Sequence, residues 1–360
     1  MSMSYAVFRS FALVKDIVMP AHLPLSGRIV VVGVDSLLAR EILMVCAERD
    51  IPFSQLVALD SRARAGREVS YGEDHTLKVG AQDSFSFQET DRVILATKRT
   101  DAASVAARAS QVGARVVDTS GHFRADPKAS LSIAAVCGDD QAPLIAAPSG
   151  AALMLLRALA PLHQQFGVSR VVASLYTSSA HLERDGMDEL FRQTRGIYVN
   201  EPTQSSRELF PKQIAFNAIP QVGAFHDEGV TEDEHDTAAQ VSRILGQKDS
   251  IHINSAYIAA FVGTAAYVNV HCEKPIVERD MRGMFADDPA VSVVDHRVEE
   301  GYVTPVETLG EDSVFISRIR RDKTVTSGVS FWCVADTTRH EALNIVDLVC
   351  ATCHQQAISD

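Results

Sequence analysis

Arg28-Ile29-Val30-Val31-Val32-Gly33-Val34-Asp35-Ser36-Leu37-Leu38-Ala39 is the stretch that decides the fold. A run of β-branched apolar residues ending on a glycine reads as a buried parallel strand entering a tight turn, because a strand covered on both faces shows no polar alternation. Over residues 37–49, Leu38, Ile42, Val45 and Cys46 recur at helical spacing and share one face. Residues 55–59, 92–96 and 115–118 read as further strands, with an alanine-rich helix at 102–112 between the last pair. Such alternation predicts an α/β, Rossmann-like, doubly wound sheet. Residues 144–148 read as the strand that leaves it.

Beyond this point the pattern changes. Residues 151–166 read as a helix with Leu153, Leu156, Leu159 and Leu162 inward. Stretches 168–176, 251–262 and 268–272 read as longer strands of a second sheet, with helices at 185–195 and 233–245 over it. A long apolar helix at 343–355 is expected to pack back on the first domain. The expected organisation is a tail at 1–26, a Rossmann-like domain at 27–148 completed by a C-terminal helix within 337–360, and an α+β domain with a mixed sheet at 149–336. In the tail, Arg9, Lys15 and Asp16 interrupt the apolar residues and no small-residue cleavage site follows, so a tail, or a start at Met19, fits better than a signal peptide.

A chain of 360 residues that is 46% hydrophobic can bury large cores, and its length suits more than one domain. A formal net charge of −12 argues against a nucleic-acid or anionic-membrane partner. No apolar run is long enough to span a bilayer. A cytoplasmic location is expected, and with it free thiols at Cys46, Cys137, Cys272, Cys333, Cys350 and Cys353. The Cys350-Ala351-Thr352-Cys353-His354 spacing matches covalent haem attachment, but it falls at the end of a helix and reads as small residues there.

The turn after the first strand is where a dinucleotide fold cradles a pyrophosphate, using glycines for close backbone approach. Here only Gly33 remains. Ser36 tolerates part of the geometry and Ala39 can stand for the packing glycine. Asp35 reads either as a carboxylate placed where a phosphate would sit or as a helix N-cap.

From Arg28 onward the sequence resembles the aspartate-β-semialdehyde dehydrogenase family. The blocks that carry the likeness occur in order: Glu48-Arg49-Asp50-Ile51-Pro52; Ser61-Arg62-Ala63-Arg64-Ala65-Gly66; Asp118-Thr119-Ser120-Gly121-His122-Phe123-Arg124; Gly186-Met187-Asp188-Glu189-Leu190 with Gln193-Thr194-Arg195; Gln213-Ile214-Ala215-Phe216-Asn217-Ala218-Ile219-Pro220-Gln221; Arg318-Ile319-Arg320-Arg321-Asp322; and Trp332-Cys333-Val334-Ala335-Asp336. The resemblance implies that the second domain is of the dimerisation and substrate type. It also implies NADP contacts at Gly33, Ser36, Ser61 and Arg64, and phosphate binding at Arg124. The family reaction reduces an aspartyl phosphate through a cysteine thioester, and a thiolate suits it as a nucleophile and leaving group.

Residue by residue, that chemistry is missing. The family's cysteine falls on Gly150, its orienting glutamine on Thr177, its acid/base histidine on Thr264 and its carboxylate-gripping arginine on Tyr257. A family lysine falls on Asp236, and the late loop against the cofactor is Asp336-Thr337-Thr338-Arg339-His340-Glu341-Ala342. Ser149 and Cys137 are the alternative nucleophiles, but neither Thr177 nor Thr264 can act as a base. His181, Glu183 and the Asp233-Glu234-His235-Asp236 run read as a solvated face rather than a metal site. The resemblance therefore points to a divergent, Usg-type paralogue lacking the catalytic cysteine: a homodimer with a scaffold or regulatory role, pairing with itself or with an active paralogue and requiring no cofactor. The competing expectation is an NADP-dependent oxidoreductase of the same class with altered chemistry. A third keeps Arg124 in a site for another anionic small molecule.

Overall fold

The computed structural model describes residues 27–200, 207–286 and 288–351. The tail, Met19 and the Cys353-His354 end of the haem-like spacing lie outside them. The chain divides into two compact units, Met1–Ser149 with Glu341–Asp360, and Gly150–His340.

The first unit contains β1 (Ile29–Val32), α1 (Leu37–Glu48), β2 (Leu56–Asp60), β3 (Glu68–Tyr71), β4 (His75–Lys78), β5 (Gly80–Ala81), β6 (Arg92–Leu95), α2 (Arg99–Gln111), β7 (Arg115–Asp118), β8 (Ser130–Leu131) and β9 (Leu144–Ala146). Its sheet is parallel throughout, in the order β5-β2-β1-β6-β7-β9-β8. Successive strand residues face opposite sides, which sorts the core into layers. Val30, Val32, Val93, Leu95 and Val116 meet Ala102, Val105 and Ala109 of α2. Ile29, Val31, Ile94 and Ile145 meet Ile42, Val45 and Cys46 of α1, together with Ile345, Val346 and Val349 from the end of the chain. The doubly wound sheet is thus as expected.

Differences have local causes. Helix α2 begins at Arg99, ahead of residue 102, because its first turn is polar and carries no apolar period; Asp101 there suits the helix dipole. The β3–β4 hairpin went unread because its strands are short and largely exposed. Gly33 has φ +89°, and a Cβ there would lie 2.5 Å from the Ala96 carbonyl oxygen. Gly33→Ala is therefore expected to cost about 3 kcal/mol in urea unfolding, since both the backbone and the space reject a side chain. An unchanged midpoint would refute that account.

The second unit contains α3 (Gly150–Phe166), β10 (Val168–Thr177), α4 (Glu183–Tyr198), β11 (Ala218–Ile219), α5 (Glu232–Leu245), β12 (Ile251–Ile258), β13 (Thr264–Cys272), α6 (Glu278–Ala286), β14 (Val291–Val293), β15 (Val314–Asp322), β16 (Gly328–Ala335) and the start of α7 (Thr337–Ala351). Its mixed sheet runs β11-β12-β10-β13-β16-β15-β14. Strand β10 pairs parallel with β12 and antiparallel with β13. Helix α3 is buried around most of its surface, Leu153, Leu156, Leu159 and Leu162 included, and packs on β10, β13, β16 and α5.

The strand expected at 251–262 ends at Ile258. A turn through Gly263 intervenes, at φ +82°, and β13 starts at Thr264 rather than 268. Helix α7 starts at Thr337, ahead of 343, and the boundary between the units falls inside it.

Two blocks that carried the resemblance turn out to be internal fasteners. The buried Glu189 carboxylate accepts hydrogen bonds from the Glu208, Leu209 and Phe210 amides at 3.1, 2.6 and 3.4 Å, and from Gln193 Nε2 at 2.9 Å. Gln193 Oε1 accepts from the Ile214 and Ala215 amides at 2.8 and 3.3 Å. These side chains tie α4 to the segment leading into β11 and satisfy buried backbone donors that no strand reaches.

Candidate functional site

Strand register brings together residues far apart in sequence. Tyr257 of β12 stands opposite Thr177 of β10, and Thr177 stands opposite Thr264 of β13. All are buried, at 3%, 3% and 4% exposure, so what they lack cannot be supplied by bulk water. Thr264 Oγ1 shares a hydrogen bond with Thr337 Oγ1 at 3.2 Å. Thr177 Oγ1 has no hydrogen-bond partner among the described residues. Neither hydroxyl can take a proton near neutral pH. Burial pushes the Tyr257 hydroxyl well above the usual phenol range, and Asp233 and Glu232 add to the shift, so the ring stays neutral. Phe210 and His181 pack edge-on to it at 5.0 and 5.9 Å between centroids.

Helix α3 of the same unit opens at Gly150, which is buried and contributes no side chain. Among the described residues, the buried cysteines offer no ready thiolate. Burial raises the Cys46 and Cys333 thiols well above their ordinary range and Cys272 to about 11, which suppresses the thiolate. Cys137 is buried as well.

The acidic run at α5 separates into distinct jobs. Glu234 Oε2 accepts from the Thr231 amide at 2.8 Å in a capping box, and Glu234 Oε1 accepts from the Ser255 amide at 2.9 Å. Asp236 lies 3.2 Å from His235 Nδ1. Burial raises the Asp233 carboxyl above the usual range; His181 and the Ser255 hydroxyl oppose that, while Glu234 and Asp236 add to it. Among the described residues no group of three or more His, Cys, Asp or Glu converges to hold a metal.

In the first unit, the turn after β1 is closed by its own side chains. Ser36 caps α1, its Oγ accepting from the Ala39 amide at 3.1 Å and donating to the Gly33 carbonyl at 3.1 Å. Asp35 is therefore not the cap. Its carboxylate pairs with Arg64 at 2.7 Å and Arg40 at 3.0 Å. Asp60, at the end of β2, accepts from the Asp35 amide at 3.3 Å and the Ser61 amide at 2.7 Å, and lies 3.6 Å from Arg64. A cavity of about 740 Å³ borders this network, with Asp35, Arg40, Met44, Asp60, Arg64 and Ser70 in its wall.

Arg124 is also engaged within the first unit. It donates to the Ala147 and Thr119 carbonyls at 2.9 and 3.0 Å and lies 3.6 Å from Glu341. The preceding loop is held by Asp118, which accepts from Ser120 Oγ at 2.6 Å and from the Phe123 amide at 3.1 Å. In the second unit, the start of α7 buries His340. Its Nδ1 donates to the Asp312 carbonyl at 3.2 Å, and its Nε2 has no partner among the described residues. Burial, then the nearby Arg157 cation, lowers its pKa to about 3.

The sequence pattern of the semialdehyde dehydrogenase NAD binding domain covers residues 28–143, and that of the semialdehyde dehydrogenase dimerisation domain covers 159–340. The chain belongs to the semialdehyde dehydrogenase family. Among family members, the aspartate-semialdehyde dehydrogenase of Rickettsia bellii is 30% identical over 328 residues, spanning 89% of this chain and 96% of that protein. The structure of aspartate semialdehyde dehydrogenase II from Vibrio cholerae, complexed with ASA, matches with a TM-score of 0.83 at 25% identity, covering 90% and 98% of the two chains. A probable aspartate-semialdehyde dehydrogenase from Pseudomonas aeruginosa matches with a TM-score of 0.81 at 28% identity, covering 89% and 97%.

Within this semialdehyde dehydrogenase frame, the donors around the first turn are engaged by the protein's own groups. Arg64 pairs with the Asp35 carboxylate, and Ser36 caps α1. Sequence reasoning missed the parts played by Asp60 and Arg40. An acidic residue closing the second strand of a dinucleotide fold was the available signal for Asp60; nothing marked Arg40.

Proposed function

We propose that this family member is catalytically inactive and works as a folded homodimer in a scaffold or regulatory role, in the cytoplasm. The observation that supports it best is the Tyr257–Thr177–Thr264 row, which offers a buried neutral ring and hydroxyls. The family's reaction would need a carboxylate-binding cation, an amide and a proton carrier there, and Gly150 supplies no thiol. The decisive experiment is a turnover assay against an active relative. The match to a dimerisation domain supports self-association.

An exposed apolar patch suits that role. Tyr198 and Phe216 touch, at 75% and 64% exposure, and Phe191 and Val199, on α4 and its exit, are exposed as well. Such a patch on one chain marks an interaction surface. Tyr198→Asp with Phe216→Asp is expected to weaken self-association at least about tenfold, because both charges would have to be desolvated. Sedimentation equilibrium reads this, and an unchanged dimer would remove the patch from the interface. Pairing with an active paralogue belongs to the same reading: a stable complex on mixing the two purified proteins would support it.

The second reading is an NADP-dependent oxidoreductase of the semialdehyde dehydrogenase class with altered chemistry. The parallel sheet favours it, as do Arg64, Arg67 and Arg124, while Asp35 and Glu341, which pair with Arg64 and Arg124, and Lys98-Arg99 in place of glycines count against it. Thermal stabilisation by NADP would support this reading, since a ligand of the native state raises the melting midpoint.

A further inference from the structure

We propose that Asp35 is a built-in anion that closes the nucleotide turn to a 2′-phosphate, so that the first unit accepts an adenylate with free ribose hydroxyls and rejects its 2′-phosphorylated counterpart. This does not depend on whether the second unit turns over. The carboxylate of Asp35 already holds Arg64 at 2.7 Å and Arg40 at 3.0 Å. A phosphate ester arriving at Arg64 would have to displace Asp35 and then lie beside it. Asp60 is also at hand, 3.6 Å from Arg64 and buried, so the ester would meet further like charge.

The surroundings do not offset that repulsion. Arg67 also lines the cavity, but Glu48, Glu68 and Glu73 join Asp35 and Asp60 there, so acidic side chains outnumber the arginines. The turn gives little backbone help, because Val34 and Asp35 follow Gly33 and Ser36 Oγ is committed to capping α1. A ribose with free hydroxyls meets a different environment. Hydroxyls donate to carboxylates, and an acidic residue at the end of the second strand is the usual acceptor for them in this fold. The Arg124–Glu341 pair repeats the device at a second arginine, where an internal carboxylate and backbone carbonyls take the guanidinium.

The test is equilibrium binding of 2′,5′-ADP and of 5′-AMP at low ionic strength, by calorimetry, to the wild type, Asp35→Asn, Asp35→Glu and the double variant Asp35→Asn with Arg64→Ala. Asp35→Asn is expected to gain about tenfold for 2′,5′-ADP with little change for 5′-AMP, because the repulsion removed acts on a doubly charged ester. Asp35→Glu keeps the exclusion, and removing Arg64 from the Asn variant abolishes the gain. A wild type that prefers 2′,5′-ADP, or an Asn variant whose affinity for it does not rise, overturns the proposal. A wild type that shows heat with neither probe also overturns the proposal, which requires the first unit to accept 5′-AMP.

Discussion

Supplied with aspartate semialdehyde, phosphate and NADP, the wild-type protein is expected to form reduced cofactor at least about 10⁴-fold more slowly than an active relative assayed beside it. The family's nucleophile, base and carboxylate clamp would fall on Gly150, Thr264 and Tyr257. These groups work as a unit, so losing one already removes most of the rate and losing the rest adds little. The same logic makes Gly150→Cys fail to restore turnover. A thiol at the start of α3 would have no proton acceptor at Thr264, whose hydroxyl is tied to Thr337 at 3.2 Å. It would have no amide at position 177 and no cation at 257. Placing arginine at 257 meets a further obstacle, because the buried Asp233 next to that position would compete for it. Turnover of the wild type within about tenfold of the relative would end the inactive reading.

Acid is expected to destabilise the second unit through His340, by about 3 kcal/mol between about pH 7 and about pH 4. Its pKa is lowered to about 3 by burial and by Arg157, against an ordinary value of 6.5. The sign follows from proton counting. Between those values the unfolded chain binds a proton that the native state refuses. The contribution is fully present above pH 6.5 and is lost as pH falls toward 3, at roughly 1.4 kcal/mol per unit. His340→Gln keeps a donor for the Asp312 carbonyl but does not titrate. Urea unfolding across that range should show a shallower decline for the variant. Parallel curves would exclude His340 as the cause. Burial also lowers His163, but that contribution is common to both proteins and cancels in the comparison.

What the sequence disclosed depended on period and punctuation. The strand ending at Gly33 and the helix after it announce themselves because a buried strand and a one-faced helix need those residues in that order. The β3–β4 hairpin did not, since its exposed short strands bury almost nothing that a pattern could register. The stretch 251–262 read as one strand because apolar residues continue through the turn before Gly263, and only the geometry shows the chain reversing there. The site was legible as identities but not as an arrangement. That Tyr257, Thr177 and Thr264 stand side by side is a matter of strand register, which no local signal records. Arg124 and Glu341 meet only because α7 belongs to the first unit from Glu341 onward.

That last feature bears on the order of events during synthesis. The first core needs Ala342, Ile345, Val346, Leu348 and Val349, which are made after every residue of the second unit. Domains tend to fold as each emerges from the ribosome. Here the unit begun first must wait, its β1 and α1 faces only partly covered, until the unit begun second has been completed. A chain ending at residue 340 and free of the ribosome would therefore hold every residue of the second unit beside an unfinished first one, and a chaperone that grips apolar surface would find its binding site on the earlier part of the chain.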